Sequence, residues 1–222
     1  MGGPEMAPHT PQRSGRPGEA VAPLDTLNRR VVLATRNPGK LRELARLLGD
    51  LPIELLSLAD IPGATLPEET ARTYADNALL KARAAQRLTG CAALGDDSGL
   101  EVDALGGAPG VHSARFGGAG LDDAGRVALL LERLRAVPAA KRTARFRCVI
   151  ALVDEGGGEH TVEGVAEGEI AAAPRGASGF GYDPVFYYPP RGRTFGELTE
   201  REKEGVSHRA LAARAARALL SG

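Results

Sequence analysis

Apolar residues change their spacing along the chain in a way that separates strands from helices. Val31, Val32, Leu33 and Ala34 form one short run within residues 30–34, as a buried strand does. Directly after it Leu41, Leu44, Leu47 and Leu48 recur at helical spacing, with Arg and Glu between them. Residues 53–58 predict a second strand, and Pro62, Gly63 and Pro67 then break the chain. From about 73 to 88, Ala75, Ala78, Leu79, Ala82, Ala85 and Leu88 make a second helical stripe, with Gly90 placed to cap it. The run from Cys91 to Leu94 predicts a third strand that ends at Gly95, and residues 100–104 alternate as a separate, half-exposed strand. Asp122 and Asp123 suit the start of a third helix, which passes through Leu129, Leu130 and Leu131 and stops before Pro138.

The clearest strand is 143–153, where Phe146, Cys148, Ile150 and Leu152 alternate with Arg145, Arg147 and Val149. Residues 154–158 turn it into a more polar partner over 160–170, giving a hairpin. Loops dominate from there until Ser207 caps an Ala- and Leu-rich helix that runs to about Leu220. The order of elements predicts an α/β fold: a mixed sheet with an antiparallel hairpin and flanking helices.

Composition narrows the partners. Lys and Arg number 28, as do Asp and Glu, so the formal net charge is zero. That balance gives no argument for a nucleic-acid polymer or an anionic membrane, while a small anion held by a local cluster stays compatible. No apolar run approaches a membrane span, and the start of the chain has no hydrophobic secretory core. Cys91 and Cys148 lie in apolar strand-like runs without metal-type spacing, which reads as buried, reduced thiols in a cytoplasmic protein. Residues 1–28, rich in Gly, Pro, Arg and Glu, read as a disordered extension, and 29–222 as the folded domain.

Chemistry-bearing residues gather in the loops. Thr35, Arg36, Asn37, Pro38, Gly39 and Lys40 join the first strand to the first helix, and a helix start with unpaired N–H groups attracts anions. The spacing is not that of a P-loop. Asp96 and Asp97, followed by Ser98 and Gly99, place two acids side by side at an expected strand end. Such a pair serves a divalent cation or proton abstraction; a solvated Asp-rich turn uses the same residues, and both readings stay open at this level. Asn77 and Lys81 project together at i, i+4, which by itself reads as a solvated helix face. Glycines on both sides of Phe180 free the backbone to set an exposed aromatic against something flat. His208 and Arg209 occupy the first turn of the last helix, where cations oppose the dipole, which points to a ligand.

Together these residues resemble the inosine triphosphate pyrophosphatases, also called XTP/dITP pyrophosphatases. The resemblance runs from about Arg30 to the end of the chain and rests on seven motifs in order. They are Thr35-x-Asn37-x-x-Lys40; Glu68-Glu69-Thr70 with Asn77, Ala78 and Lys81; Asp96 to Leu100; Gly106-Gly107-x-Pro109-Gly110 with Ser113-Ala114-Arg115; Gly179 to Pro184; Glu202-Lys203; and Ser207-His208-Arg209. Ala71 departs from the family's usual Gly and Tyr74 from its commoner Phe. The resemblance implies an elongated mixed α/β fold of two lobes with a central active-site cleft, and a homodimer. It implies Mg²⁺-dependent hydrolysis of ITP, dITP, XTP or dXTP to the monophosphate and pyrophosphate, which clears deaminated purines from the nucleotide pool. It makes Asp97 the proton acceptor and a metal ligand, and Glu68 the other metal ligand, with Glu69 a substitute. Thr35 to Lys40 would hold the triphosphate, Ser98 would touch substrate beside the metal, and Phe180, Gly181, Tyr182 and Asp183 would enclose the nucleoside. Lys203, His208 and Arg209 would meet the base, with Asp96, Asn77 and Lys81 auxiliary.

The chemistry is consistent with that assignment. Mg²⁺ binds through few carboxylates plus phosphate oxygens and water, and a carboxylate beside the attacking water serves as general base. A 6-oxo purine offers an acceptor where adenine has a donor, so fixed donors at that position reject adenine; excluding guanine needs a conflict at its 2-amino group. Two rivals remain at this level, a pyrophosphatase for pyrimidine or modified nucleotides and a non-catalytic nucleotide sensor. The acids Glu68, Asp96 and Asp97 argue against the sensor, because a pure phosphate binder gains nothing from added negative charge.

Overall fold

A computed structural model describes residues 1–2, 29–118 and 120–221, so the expected extension over 1–28 lies almost wholly outside the described residues. Among them, seven strands form one mixed sheet in the order β2-β1-β3-β4-β5-β6-β7. β1 (Arg29–Leu33) pairs in parallel with β2 (Ile53–Ser57) on one side and β3 (Ala92–Val102) on the other. β3 runs antiparallel to β4 (Thr143–Val153), which turns back into β5 (Glu159–Ile170) as the alternation predicts. Two short strands, β6 (Phe186–Tyr188) and β7 (Arg193–Thr194), finish the sheet. At three and two residues they are too brief to show a period in the sequence.

Helices α1 (Pro38–Leu48), α2 (Tyr74–Thr89), α3 (Asp123–Arg133) and α5 (His208–Leu220) fall where the 3.6-residue pattern places them. Asn37, Thr73, Asp122 and Ser207 cap them by accepting first-turn N–H groups, and Gly90 closes α2 in the left-handed conformation. A fifth helix, α4 (Glu200–Val206), was not expected. Its signal was the reciprocal capping box between Thr199 and Glu202.

One expectation is overturned at the centre of the sheet. The chain does not break at Gly95; β3 is a single strand of 11 residues that carries Asp96 and Asp97 in its middle, paired opposite Ile150 and Val149. The glycine gives clearance instead. A Cβ at position 95 would lie 2.1 Å from the Ala78 carbonyl oxygen, so its absence lets α2 rest directly on the strand.

Of four apolar clusters among the described residues, the two largest lie along the same strands, and two smaller ones pack against α2. Leu33, Leu44, Leu48, Leu94, Ile150, Leu152 and Ala216 fill one lobe beneath α1 and α5. Leu100, Val102, Leu130, Leu134, Phe146, Phe186 and Phe195 fill the other. The acids of β3 and the loop after β1 lie between them. This is the elongated, two-lobed α/β architecture that the resemblance implies.

Candidate active site

β3 continues past the end of its pairing with β1, whose last partner is Leu94. Asp96 and Asp97 therefore lie just beyond the carboxyl end of β1, the region where open α/β sheets bind ligands. Successive strand residues point to opposite faces, and the pleat separates the two acids. Asp97 faces α2, where Asn77 Nδ2 donates to its Oδ2 at 3.1 Å and Lys81 Nζ lies 3.6 Å from its Oδ1. Asp96 faces α1 and α5, where its Oδ2 lies 3.2 Å from both Lys40 Nζ and Arg209 Nε.

The α2 side is a charged cluster, buried at Asn77, Lys81 and Asp97. Asn77 and Lys81 are 0% and 4% exposed, so they are not a solvated face as their spacing alone suggested. Lys81 Nζ also meets Glu69 Oε1 at 2.7 Å, and Arg115 donates to the Glu69 carbonyl at 2.9 Å. Burial pushes Asp97 above the usual carboxylate range, Lys81 and Lys40 pull it back, and Glu69 adds to the rise. Burial opposes the charge on Lys81, but Asp96, Asp97 and Glu69 outweigh it and keep the amine protonated. Glu68 is exposed and makes no side-chain hydrogen bond or ion pair among the described residues. Those residues hold no preformed group of three or more His, Cys, Asp or Glu able to cage a metal. Carboxylates such as Asp97 and Glu68 are the hard oxygen donors that Mg²⁺ takes, with water and phosphate oxygens as its remaining ligands.

On the opposite face of β3 lies a chain of buried ion pairs. Glu43, on the inner side of α1, accepts from Lys203 Nζ at 2.8 Å and from Arg209 Nη1. Lys203 meets Asp183 Oδ2 at 2.5 Å, and Arg209 Nη2 donates to Ser98 Oγ at 2.9 Å. Three acceptors satisfy a guanidinium only 1% exposed, an arrangement that burying a charge requires. Burial disfavours ionised Asp96, yet Lys40, Arg209 and Lys81 win and hold it well below the ordinary carboxylate range. His208 stacks on Phe146 at 4.5 Å with a 13° interplanar angle. Burial, reinforced by Arg209, Lys203 and Lys40, pushes its pKa well below the ordinary value, so the imidazole is neutral. The expectation of two cations opposing the α5 dipole is thereby corrected: His208 carries no charge, and Arg209 is neutralised by Asp96 and Glu43.

These groups border a cavity of about 290 Å³, near the lower end of small-molecule sites at roughly 300–1,000 Å³. Asn37, Lys40 and Ser98 line one part of it; Lys203, His208 and Arg209 line another. The ring of Phe180 lies beneath the Lys203 and Arg209 cations at 5.1 and 5.6 Å. Gly181 and Asp183 also border it; Tyr182 reaches it from the second core and donates its hydroxyl to the Ser113 carbonyl at 2.9 Å.

The loop after β1 differs from the expectation in one respect. Pro38 has no N–H, and Asn37 Oδ1 accepts from Gly39 N at 2.8 Å and Lys40 N at 3.1 Å, so the first-turn amides of α1 are occupied. The polar groups left at this turn are the Lys40 ammonium and the Thr35 and Asn37 side chains. Arg36 is exposed and donates to the Ala64 carbonyl at 3.0 Å, tying this loop to the one that carries Glu68 and Glu69. Sequence reasoning missed Glu43, whose signal was its i+3 spacing from Lys40 and i+4 from Gly39. It also missed the pair Asp123 and Arg126 at the cavity edge, where Asp123 Oδ2 accepts the Gly181 N–H at 2.8 Å. Asp122 alone accounts for the helix cap, which left no signal for Asp123.

Known proteins resemble this chain over most of its length. A protein of Desulforamulus reducens named dITP/XTP pyrophosphatase is 51% identical over 192 residues, covering 86% of this chain and 96% of its own. One of the same name from Thermus thermophilus is 51% identical over 186 residues, covering 84% and 89%. Among solved structures, a HAM1 protein from Coxiella burnetii superposes with a TM-score of 0.79 at 44% identity, over 87% of this chain and 98% of that one. A sequence model of the Ham1 family matches residues 31–219, which contain every element from the end of β1 to α5 and every residue of both clusters, and the chain belongs to that family.

Proposed function

We propose that the protein hydrolyses non-standard purine nucleoside triphosphates, ITP and XTP and their deoxy forms, to the monophosphate and pyrophosphate. One observation carries this reading. Adjacent acids on β3 are divided by the pleat, one into a lysine–carboxylate cluster and the other onto Lys40 and Arg209, two cations that line a cavity shared with a neutral imidazole. Chemistry at an anhydride and recognition of a base can thus proceed on either side of one strand. The relatives named dITP/XTP pyrophosphatase support the same substrate class.

In this reading Lys40, Thr35 and Asn37 hold the triphosphate, and Asp97 takes the proton of the attacking water. The α–β anhydride breaks, and pyrophosphate leaves with the electron pair of the bridging oxygen. Burial makes Asp97 a stronger base than a solvent-exposed carboxylate. Asp97 and Glu68 would hold Mg²⁺, which when bound would supply neutralisation of phosphate charge. Glu69 is already engaged by Lys81 and Arg115, which supports Glu68 as the second ligand. His208, Arg209 and Lys203 meet the base over Phe180, and donors set for a 6-oxo group leave adenine unmatched. The reading includes a homodimer and a cytoplasmic location; the unpaired Cys91 and Cys148 suit a reducing compartment. No helix among the described residues is long and apolar enough to cross a membrane.

Pyrophosphate release from ITP, XTP, dUTP, TTP, ATP and GTP, with and without Mg²⁺, tests the substrate class. ITP and XTP are expected to dominate and to require Mg²⁺; faster release from dUTP or TTP overturns it. Asp97→Asn is expected to lower turnover by about 10²–10⁴-fold while the far-UV circular dichroism stays unchanged. Full activity in that folded variant would falsify the catalytic assignment.

A further inference from the structure

Asn77 is fully buried and uses its carboxamide in two directions. Its Oδ1 accepts the Ala71 N–H at 3.0 Å, and its Nδ2 donates to the Ala71 carbonyl at 3.4 Å and to Asp97 Oδ2 at 3.1 Å. Reversing the amide would set an oxygen against the Asp97 carboxylate and a donor against the Ala71 N–H, so only this orientation satisfies both ends. Residue 71 lies near the end of the irregular stretch that bears Glu68 and Glu69, a segment outside any helix or strand. One turn along α2, Lys81 makes a parallel link from Glu69 to Asp97 Oδ1. Both oxygens of Asp97 are thus engaged from one helix face, and each link continues into the acidic loop.

We infer that Asn77 is a positioning residue for the reaction: a strap that fixes the loop bearing Glu68 and Glu69 in register with Asp97. This rests on the reading of Asp97 as the proton acceptor. The lysine link is electrostatic and tolerant of distance, whereas the amide link is directional and reads backbone, so it sets where the loop stands. Groups that orient a metal-binding carboxylate are worth about 10- to 100-fold in activity or metal affinity.

The test separates positioning from packing. Asn77→Leu keeps the branched heavy-atom framework, at a larger volume, with no hydrogen bonds. It is expected to lower kcat for ITP by about 10- to 100-fold with KM within about threefold. Amide exchange at Ala71 should accelerate by about tenfold or more while the Ala82 amide, deeper in α2, keeps its protection. Asn77→Asp keeps an acceptor for the Ala71 N–H but repels Asp97, so it should lower kcat with Ala71 still protected; it also serves if the leucine variant does not fold. Unchanged Ala71 exchange in Asn77→Leu overturns the strap. Accelerated exchange with kcat within about threefold of the parent reduces it to a structural contact and equally overturns the proposal. An active Asp97→Asn enzyme defeats the catalytic reading instead, and leaves the Ala71 exchange result to judge the strap.

Discussion

The imidazole of His208 has lost the water that would solvate a second proton, and three cations surround it. Its folded-state pKa therefore lies below the unfolded value near 6.5, and the sign of the linkage follows. Above about pH 6.5 neither state binds the proton, and the stability is intact. Below it the unfolded chain takes up a proton that the folded chain refuses, so stability falls by about 1.4 kcal/mol per pH unit until the folded pKa is reached. Asp96 and Glu43, held low by their cations, lose their contributions only in stronger acid. Urea unfolding at pH 6.5 and 5.5 should show the parent losing about 1 kcal/mol more than His208→Gln across that interval. An equal loss in both proteins contradicts a neutral buried His208. Residue identities were legible in the sequence where a motif carried them, as with Asp97, Lys40 and His208. Environments were not: Asn77 and Lys81 looked solvated because spacing reports a shared face and not what covers it. Glu43 escaped notice because an acid between leucines is the ordinary dress of a surface helix.

Two glycines let helices from opposite faces reach the strands that carry the site. At Gly95 a Cβ would fall 2.1 Å from the Ala78 carbonyl and 2.9 Å from the Ala82 nitrogen. At Gly164 it would fall 2.2 Å from the His208 carbonyl and 2.4 Å from the Ala212 nitrogen. All four atoms are backbone, so no rotamer change relieves the overlap and the helix must lift. Alanine at either position is expected to destabilise the fold by about 1–3 kcal/mol, with different functional consequences. Gly95→Ala moves α2, which bears Asn77 and Lys81, and should lower kcat for ITP. Gly164→Ala moves the first turn of α5, which bears His208 and Arg209, and should narrow the preference for ITP over ATP. Steady-state kinetics on both nucleotides check this; the same loss of kcat and unchanged preference in both variants defeats the division of labour. The same contacts explain why the sequence misled at this point. Gly95-Asp96-Asp97 has turn composition, but the glycine answers Ala78 and Ala82 of the preceding helix, and tertiary packing overrides the poor strand propensity of the acids. Long periodic elements such as α2 and β4 were legible, whereas β6, β7 and α4 were too short to display a period.

Across the whole molecule, the two largest of the four apolar clusters among the described residues share one set of strands. Leu94 and Leu100 lie on the same strand, β3, yet belong to different cores, and so do Ile150 and Phe146 on β4. The cavity sits at the seam, with Lys40 from α1 and His208 from α5 on one side and Tyr182 from the second core on the other. Pattern alone gave the α/β class, but the threading of both lobes by β3 and β4 depends on register, which periodicity does not encode. Shared strands have a thermodynamic consequence: neither core can lose its strands without exposing the other, so the lobes should unfold together. Urea titration followed by far-UV circular dichroism and by tyrosine fluorescence is expected to give coincident single transitions. Leu44→Ala in one core and Leu130→Ala in the other should each shift that whole transition by about 2–5 kcal/mol without splitting it. A second transition appearing in either variant, or a fluorescence midpoint separate from the dichroism midpoint, would mean that the seam is a hinge between independently stable lobes, and the cleft would then open without unfolding.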